Sequence, residues 1–360
     1  MTPTTVRRCL APLAVVMLVA LGACGSSKKS GGSTTTPAGG AQLPATTLSG
    51  SGSSFQDAFD EQVFRDFTSD AQKNVIVNYS PTGSGQGQTD LQGGLVDFAG
   101  SDSLVKAADV SKFKGAILYV PIASAPITIS YKLAGVSNLS LSASTIAKIF
   151  SSKITTWDAP EIKADNPSVT LPSSPIVVVH RSDGSGTTAN FTKYLTLAAP
   201  SDWTLGTDKV VNWASTTIGA AKNTGVAEKI SSTDGAIGYV DFSDAKAASL
   251  SFASIKNAAG KVVAPSLAGA TAAMASAPVT ADVTVSPMNA PGADAYPITS
   301  PTYVIVYEAQ TDHNKGTALK ALLEYVLGAG QAKAESLDFA KLPDALLAKA
   351  KAQLDKIQIP

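Results

Sequence analysis

Four short turns rich in serine, threonine and glycine carry the most visible chemistry of this sequence. They are Gly-Ser-Gly-Ser-Ser-Phe at 50–55, Gly-Ser-Gly-Gln-Gly at 83–87, Asp-Phe-Ala-Gly-Ser-Asp at 97–102 and Arg-Ser-Asp-Gly-Ser-Gly-Thr-Thr at 181–188. Each follows or ends a strand-like segment. A helix that starts at such a turn has free N–H groups and a positive dipole end, glycine allows close approach, and hydroxyls add donors. Together, the turns predict a cradle for a tetrahedral oxyanion.

The fourth turn is the most specific of these signals. It places Arg181, Asp183, Ser185, Gly186 and Thr187 within seven residues after a strand-like segment. Arginine offers a planar fork of donors that suits an oxyanion. Taken singly, each turn also has a plainer interpretation, because a serine before a helix is most often an N-cap and a glycine-rich turn is usually only a turn. The plainer interpretation of the fourth turn is a surface loop with an Arg–Asp pair.

An enzyme is the alternative that the same segment leaves open. His180, Asp183 and Ser185 are close enough in sequence for a hydrolase-like triad, and a phosphate-processing enzyme would also need an anion site. No Gly-x-Ser-x-Gly elbow follows a strand here. Two histidines in the whole chain make a histidine-rich metal site improbable. We therefore expect a protein without catalytic residues, metal or cofactor.

The segments around the turns alternate between strand and helix patterns. Phe55, Phe59, Val63 and Phe67 recur every four residues and predict a helix over 55–68, with Ser54 as its N-cap. Further strands are predicted at 75–79, 96–101, 175–180, 236–241 and 302–307, further helices at 144–150, 317–327 and 344–357, and a long extended stretch at 117–133 that Pro121 and Pro126 interrupt. Such alternation predicts an α/β fold with much parallel sheet.

Composition excludes two broad classes of protein. The 360 residues carry 28 Lys plus Arg and 28 Asp plus Glu, so the formal net charge is zero. A strongly basic nucleic-acid binder is not expected. Hydrophobic residues make up 44% of the chain, which is too many for wholesale disorder. The length suits two domains.

The N-terminus has the pattern of an export signal. Arg7 and Arg8 precede an uncharged, mostly apolar run that ends in Leu21-Gly22-Ala23-Cys24. This ending resembles a bacterial lipobox, which implies a signal peptide at 1–23 and a lipid such as palmitate on Cys24. An ordinary secretory signal with an incidental cysteine is the alternative. The following Gly-, Ser- and Thr-rich residues predict a flexible linker over 24–45.

The four turns and the lipobox resemble, in order, those of the phosphate-binding proteins of bacterial ABC phosphate importers. Gly-Ala-Ile-Gly-Tyr-Val at 235–240 and Tyr-Pro-Ile at 296–298 extend the resemblance, which covers about 46–360. It implies a two-lobed, type II periplasmic-binding-protein-like α/β fold with mixed, mostly parallel sheets and two hinge crossovers. Lobe I would comprise 46–124 and 283–360, and lobe II 125–282.

The same resemblance implies a function and its partners. The protein would be a monomer, held to the outer face of the cell membrane by its lipid. It would capture inorganic phosphate and deliver it to the subunits of a membrane permease. A phosphate sensor or adhesin on the same fold is a third possibility.

The resemblance also assigns ligand residues. The expected phosphate ligands are Ser54, the amide of Phe55, Ser84, Asp102, Arg181, Ser185, Gly186 and Thr187. Asp183 would orient Arg181 without touching the ligand. The second turn departs from the family, which often has Ser-Ser-Gly-Gly where this chain has Ser84-Gly85-Gln86-Gly87.

Asp102 is the residue with the most distinctive chemistry. A carboxylate that faces a bound oxyanion is repulsive unless the ligand carries a proton for it. Phosphate retains a proton near neutral pH and sulfate does not, so one acceptor among many donors would favour phosphate. The plainer interpretation is that Asp102 caps a helix.

Overall fold

A computed structural model of the protein describes residues 41–360, and the predicted signal peptide and Cys24 lie outside the described residues. Its strands are β1 (Thr46–Gly52), β2 (Val75–Ser80), β3 (Phe98–Ser101), β4 (Ile117–Tyr131), β5 (Ser140–Leu141), β6 (Val177–Arg181), β7 (Ile218–Ala220), β8 (Ala236–Asp241), β9 (Ser251–Phe252), β10 (Ser254–Lys256), β11 (Val262–Val263) and β12 (Thr299–Tyr307). Its helices are α1 (Asp57–Asp66), α2 (Ser84–Gly93), α3 (Ala143–Phe150), α4 (Pro160–Asp165), α5 (Gly186–Ala198), α6 (Lys222–Ser232), α7 (Phe242–Ala247), α8 (Leu267–Ser276), α9 (His313–Val326) and α10 (Asp344–Gln353). Over 41–360, none of these helices has the length and apolar character needed to span a membrane.

The main sheet is organised around the long strand β4. Its first part, Ile117 to Pro126, pairs antiparallel with β12, and its last part, Ile127 to Tyr131, pairs antiparallel with β8. The strand order is β2-β1-β3-β12-β4-β8-β6-β7, with β9 also on β4. A small second sheet has the order β11-β10-β5. One strand therefore belongs to two groups of strands, one on each side of its midpoint.

Parallel pairing is confined to a few neighbours. β1 pairs parallel with both β2 and β3, β6 pairs parallel with both β7 and β8, and β5 pairs parallel with β10. The pairs made by β4 and β12 are antiparallel. The predicted α/β fold with a mixed sheet is confirmed, but parallel pairs do not dominate it. The two parallel groups matter most for the site, because the strands of each group end at the same edge.

The two prolines do not interrupt β4 as the sequence predicted. Pro121 lies opposite Tyr303 and Pro126 opposite Thr299 within a continuous strand. Between Thr302 and Tyr303 the partner on β4 changes from Ala123 to Pro121, so Ile122 is an extra residue that forms a bulge in β4 next to Pro121. Proline lacks the N–H of the ladder, and bulges accommodate it by breaking the local pairing.

The first helix begins later than predicted. α1 starts at Asp57 with Gln56 at the N-cap position and no side-chain cap, so the predicted N-cap role of Ser54 is wrong. After Asp66 the backbone continues as a π-helical turn over Phe67–Ala71. Just before β1, the Leu43 N–H donates to Gln72 Oε1 at 2.8 Å.

Aromatic side chains hold helices onto the sheet. Phe55 and Phe59 pack against Phe339, with ring centroids 6.0 and 5.7 Å apart. On the other group of strands, Phe191 packs against Phe150 and stacks on Tyr239. These side chains are at most 1% exposed. Their burial stabilises each group by several kcal/mol, at roughly 1.5–3 kcal/mol per large side chain, and fixes where the helices that follow the turns begin.

Candidate functional site

The first turn is formed at the end of β1, between β2 and β3. Gly52 has a φ of 138°, and a Cβ at this position would lie 2.1 Å from Gly100 O. Only glycine fits here, so the turn approaches β3 closely. Ser53 and Ser54, which follow, are 0% and 6% exposed. The Phe55 N–H, predicted as a ligand, donates to Ser53 Oγ at 3.0 Å.

The second turn, between β2 and α2, touches the fourth turn directly. A Cβ on Gly83, whose φ is 95°, would lie 2.5 Å from Asp183 Oδ2. The Gly85 N–H donates to Gly184 O at 2.8 Å. Ser84 is the first residue of α2 and is 1% exposed. Two turns more than ninety residues apart in sequence are thereby joined through their main chains.

Arg181 ends β6 and is held by Asp183. Its Nε donates to Asp183 Oδ1 at 2.7 Å and its Nη2 donates to Asp183 Oδ2. The Arg181 side chain is 1% exposed, so this charge is removed from water. Burial alone raises the pKa of Asp183, but its hydrogen bonds and charge attraction with Arg181 outweigh burial and leave that pKa below its usual value. The bidentate pair fixes the plane of the guanidinium group.

The start of α5 completes the fourth turn. Ser185 is the N-cap, and its Oγ accepts from the Thr188 N–H at 3.1 Å. A Cβ on Gly186 would lie 2.4 Å from Ser84 Oγ and 2.7 Å from Asp102 Oδ2. The absence of a side chain at Gly186 thus allows the N-terminus of α5 to face Ser84 and Asp102.

Asp102 follows β3 and lies among hydroxyl groups. Its Oδ1 accepts from Ser53 Oγ at 2.5 Å and lies 2.9 Å from Thr302 Oγ1, while its Oδ2 is 3.4 Å from Ser84 Oγ. Burial disfavours the charged carboxylate and raises the pKa of Asp102 from 3.8 to about 6, although Ser53, Thr302 and the charge of Arg181 act in the opposite direction. Asp102 is therefore mostly ionised at pH 7 and above.

The predicted residues form one continuous cluster. Hydrogen bonds or close approaches link Ser54, Ser84, Asp102, Arg181, Asp183, Gly186 and Thr187 directly or through one further residue. Ser185 sits beside Gly186 at the start of α5. The cluster combines hydroxyl groups, main-chain N–H groups and one guanidinium group with a single ligand-facing acceptor. Such an arrangement can bind a compact oxyanion that carries a proton.

Sequence reasoning missed three residues of the site. Asn223, the second residue of α6, donates from Nδ2 to Thr187 Oγ1 at 3.1 Å and reaches Ser54 Oγ at 3.4 Å. Its Oδ1 has no hydrogen-bond partner within 41–360. Ser53 and Thr302 are the other two, and both contact Asp102. Ser53 stood inside a recognised turn, whereas Asn223 and Thr302 lie in segments without any anion-binding pattern.

A cavity also borders Asp102. It measures about 350 Å³, and its lining combines apolar side chains such as Val285 and Met288 with three lysines, Lys106, Lys193 and Lys209. Lys106 pairs with Asp208 at 2.5 Å. Burial lowers the pKa of Lys193 and of Lys209. Asp102 and Asp208 also line this cavity, so three lysines stand against two carboxyl groups.

Comparison with known proteins assigns the class and then the family. The family model of the PBP superfamily domain matches residues 33–329, so the protein is a member of the periplasmic-binding-protein class. Its fold is also similar to that of a phosphate-binding protein from Stenotrophomonas maltophilia, with a TM-score of 0.62, 22% identity and coverage of 86% of this chain and 94% of that one. A high-affinity periplasmic phosphate-binding protein solved with bound phosphate gives a TM-score of 0.69 at 23% identity, covering 85% of this chain and 93% of the other.

Sequence relatives give the family itself. The phosphate-binding protein PstS 3 of Mycobacterium tuberculosis is 35% identical over 340 residues, which span 90% of this chain and 91% of that protein. The phosphate-binding protein PstS of Pasteurella multocida is 32% identical over 317 residues, 86% of this chain and 90% of that protein. The chain therefore belongs to the PstS family of phosphate-binding proteins.

Proposed function

We propose that the protein captures inorganic phosphate between its turns and delivers it to an ABC-type import permease. The observation that carries this proposal is the buried carboxylate of Asp102 among a set of donors, beside a second carboxylate, Asp183, that is paired with Arg181. Relatives named for phosphate binding at 32–35% identity support the same conclusion. The function is binding followed by release, without chemical change of the ligand.

Each expected ligand has a stated role in this proposal. Arg181 would donate from Nη1 or from its second Nη2 hydrogen, since Asp183 occupies the Nε hydrogen and one Nη2 hydrogen. The remaining donors would be the hydroxyls of Ser54, Ser84, Ser185 and Thr187, the main-chain N–H of Gly186 and that of Phe55, which would turn from Ser53 Oγ to the ligand. Asn223 would support the site by holding Ser54 and Thr187.

Asp102 would discriminate phosphate from sulfate. Its Oδ1 is occupied by Ser53, whereas Oδ2 faces Ser84 and Gly186, where a ligand proton would arrive. An ionised Oδ2 accepts a hydrogen bond from protonated phosphate. Sulfate offers no proton at neutral pH, so its oxygen would face a carboxylate in a buried site, which is costly.

Closure of two lobes would enclose the ligand. The proposed lobe I is 46–124 plus 283–360 and the proposed lobe II is 125–282. The change of partner along β4, from β12 at Pro126 to β8 at Ile127, supports a hinge at this point. The proposed ligands come from both sides of it, so phosphate would favour the closed form.

Membrane attachment would be through Cys24. Lipid on this residue would hold the protein at the outer face of the cell membrane, next to its permease. Residues 25–40, rich in Gly, Ser and Thr, would serve as the tether. Within this proposal the protein acts as a monomer and no catalytic group is needed.

The contacts of His180, Asp183 and Ser185, the candidates for a hydrolase-like triad, favour a binding protein over a hydrolase. His180 Nδ1 lies 2.9 Å from Arg181 O, and the His180 ring stacks on Trp213 at 4.8 Å. Asp183 is engaged by Arg181, and Ser185 Oγ accepts the Thr188 N–H. Among the described hydrogen bonds, none connects His180 with Asp183 or Ser185, as nucleophile activation requires.

Small-angle scattering in solution tests whether phosphate binding closes the two proposed lobes. The chain without residues 1–24 should first be unfolded and refolded in phosphate-free buffer, because a buried ligand can survive purification. Phosphate should then reduce the radius of gyration and raise the melting temperature, whereas equal sulfate should do neither. Arg181→Ala is the matched control and should respond weakly. A wild-type protein that fails to compact or to gain stability with saturating phosphate would argue against the proposal.

A further inference from the structure

A line of buried polar side chains leads away from Asp102 into lobe I. Thr302 Oγ1 lies 2.9 Å from Asp102 Oδ1 and 2.5 Å from Gln56 Oε1, and Gln56 Nε2 lies 2.6 Å from Asp60 Oδ2. Gln56, Asp60 and Thr302 are each 0% exposed. The line therefore joins two carboxyl groups through one amide and one hydroxyl.

Packing leaves Gln56 little freedom to leave this line. A Cβ on Gly100 would lie 2.8 Å from Gln56 Nε2, so the amide occupies the space that a side chain on β3 would need. Thr302 lies just before the register shift in the pairing of β12 with β4. Its neighbour Tyr303 pairs with Ser101 of β3, the residue before Asp102. Both intermediates of the line are thus positioned by strands of the main sheet.

The hydrogen atoms on this line do not suffice for every contact at once. The hydroxyl of Thr302 has one hydrogen, yet it faces two acceptors, Gln56 Oε1 and Asp102 Oδ1. If Thr302 donates to Gln56, its lone pairs face the Asp102 carboxylate. The oxygen and nitrogen of a glutamine amide are distinguished only by the hydrogen bonds they make. Turning the Gln56 amide over removes the conflict at Thr302.

Turning the amide over fixes where one proton must be. Gln56 Nε2 then donates to Thr302, and Thr302 donates to Asp102. Gln56 Oε1 now faces Asp60 Oδ2, so two acceptors would meet unless Asp60 carries a proton. The line is complete when Asp60 is neutral and donates to Gln56, while Asp102 is ionised and accepts from Thr302.

The surroundings of Asp60 favour its neutral form. Asp60 is fully buried, and its Oδ1 has no hydrogen-bond partner among the described residues. Burial raises the pKa of Asp60 well above its usual value, the Gln56 hydrogen bond opposes this, and the charges of Asp57 and Asp102 add to it. Tyr79, which is half-buried, is a further titratable group near Asp60.

The groups around Asp102 leave its charge dependent on hydroxyl donors. Arg181 favours the ionised form and Asp241 disfavours it, both by charge, while Ser53 and Thr302 donate directly. Loss of the Thr302 donor would therefore not be replaced by another direct hydrogen bond from these groups.

We propose that Asp60 is a positioning residue for anion selectivity: its neutral carboxyl group orients Gln56 so that Thr302 donates to Asp102 and keeps Asp102 an acceptor. This inference rests on the proposed phosphate site for its functional meaning. Gln56 and Thr302 separate the proton on Asp60 from Asp102, the carboxylate that would accept a hydrogen bond from protonated phosphate. Asp60 acts through Gln56 and Thr302 and does not touch the ligand.

Three variants separate this role from a structural one. Asp60→Asn keeps a donor facing Gln56 and adds no charge. Asp60→Leu removes the donor, and Thr302→Val removes the hydroxyl while keeping its shape. The direct readout is the titration midpoint of the Asp102 carboxyl carbon, followed by carbon-13 NMR in the ligand-free protein and assigned with Asp102→Asn.

The expected midpoints differ in a defined order. Asp60→Asn should leave the Asp102 midpoint unchanged. Thr302→Val should raise it by about one pH unit, because a hydrogen bond to a charged group is lost. Asp60→Leu should raise it by a smaller amount, and this rise should vanish in the Thr302→Val background, because both act through the same hydroxyl. The phosphate-to-sulfate affinity ratio should fall in Thr302→Val and Asp60→Leu and hold in Asp60→Asn.

The contrary results are equally specific. A fall of the Asp102 midpoint in Asp60→Asn would mean that Asp60 is ionised and repels Asp102, which overturns the proposal. An unchanged midpoint in Thr302→Val, the variant that keeps the core volume, would overturn it too. If the wild-type protein binds no phosphate, the proposed function is wrong. The Asp102 titration midpoints still test the hydrogen-bonded line from Asp60 to Asp102.

Discussion

Ser54 Oγ accepts hydrogen bonds from the main-chain N–H of Asn223 at 3.2 Å and from its Nδ2 at 3.4 Å, although the two residues are 169 positions apart. Ser54 follows β1, and Asn223 is the second residue of α6. This contact therefore connects the strands around β1 with the strands around β8. The same Nδ2 reaches Thr187 Oγ1 at 3.1 Å. One amide thereby connects an expected ligand of each proposed lobe.

Asn223→Ala should weaken phosphate binding by roughly 30-fold at most, because the side-chain bonds to Ser54 and Thr187 are lost, each about 1 kcal/mol net. Isothermal calorimetry measures the change. Thr224→Ala, on an exposed neighbour in the same helix, is the matched control and should bind as wild type. Equal affinities in the two variants would show that Asn223 does not support the site.

Arg181→Ala should lower phosphate affinity by roughly 30-fold or more, because the oxyanion loses a desolvated charged donor worth about 2–5 kcal/mol. Asp183→Asn should cost less, since the guanidinium remains but loses its bidentate partner. Arg181→Lys should not restore full affinity, because an ammonium group lacks the planar fork. Wild-type affinity in Arg181→Ala would remove this residue from the ligand set.

Asp102→Asn should narrow the preference for phosphate over sulfate. The amide adds a donor and removes the negative charge, so phosphate affinity should fall modestly while sulfate affinity rises. Competition calorimetry at pH 7.5 gives both values. General damage to the site would weaken both anions together, so the direction of the ratio is informative. If the phosphate-to-sulfate affinity ratio stays fixed or increases, other residues must discriminate between the two anions.

The ionised form of Asp102 should lower the free energy of unfolding of the ligand-free protein. Burial raises its pKa from 3.8 to about 6, so between these values the folded state holds more protons than the unfolded state, and the free energy of unfolding falls as pH rises. The penalty is fully present above pH 6 and amounts to at most about 3 kcal/mol. Below pH 4 it disappears.

Urea unfolding of wild type and Asp102→Asn checks this. The variant should be more stable than wild type at pH 7.5, and the gap should close as the pH approaches 4. The difference between the two proteins removes the contribution of Asp244, whose pKa is also raised by burial, whereas Asp60 differs between them through its charge repulsion with Asp102. Parallel curves over the whole range would contradict the assignment.

Cys24→Ser should release the protein from membranes or leave it unprocessed. The prediction depends on Leu21-Gly22-Ala23-Cys24, which lies outside the described residues. Fractionation of cells that express wild type and variant, with mass spectrometry of the N-terminus, is the measurement. A variant that is processed and still membrane-bound would contradict the lipobox interpretation.

Much of the site could be anticipated because its signals are local. Glycine and serine at strand ends act through main-chain N–H groups next to them in sequence, so the turns at 83–87 and 181–188 were recognisable without a fold. Gly83 and Gly186 illustrate this, since each makes room for a partner turn.

What could not be anticipated depends on tertiary packing. Asn223 follows an unremarkable segment and reaches the site only because α6 starts beside β1. Thr302 reaches Asp102 because β12 pairs with β3 and places Tyr303 opposite Ser101. The prolines of β4 were misjudged because the sequence does not show the pairing with β12, a strand about 180 residues away, or the bulge at Ile122 that lies beside Pro121.

The central claim is that the site selects phosphate by a donor set that includes Arg181 and by one acceptor, Asp102. The most direct measurement is calorimetry of the refolded, ligand-free chain without its lipid, titrated at pH 7.5 with phosphate and, separately, with sulfate. The account predicts saturable binding of one phosphate per chain and no measurable heat from sulfate at the same concentrations. Absence of phosphate binding, or sulfate binding of comparable affinity, would contradict it.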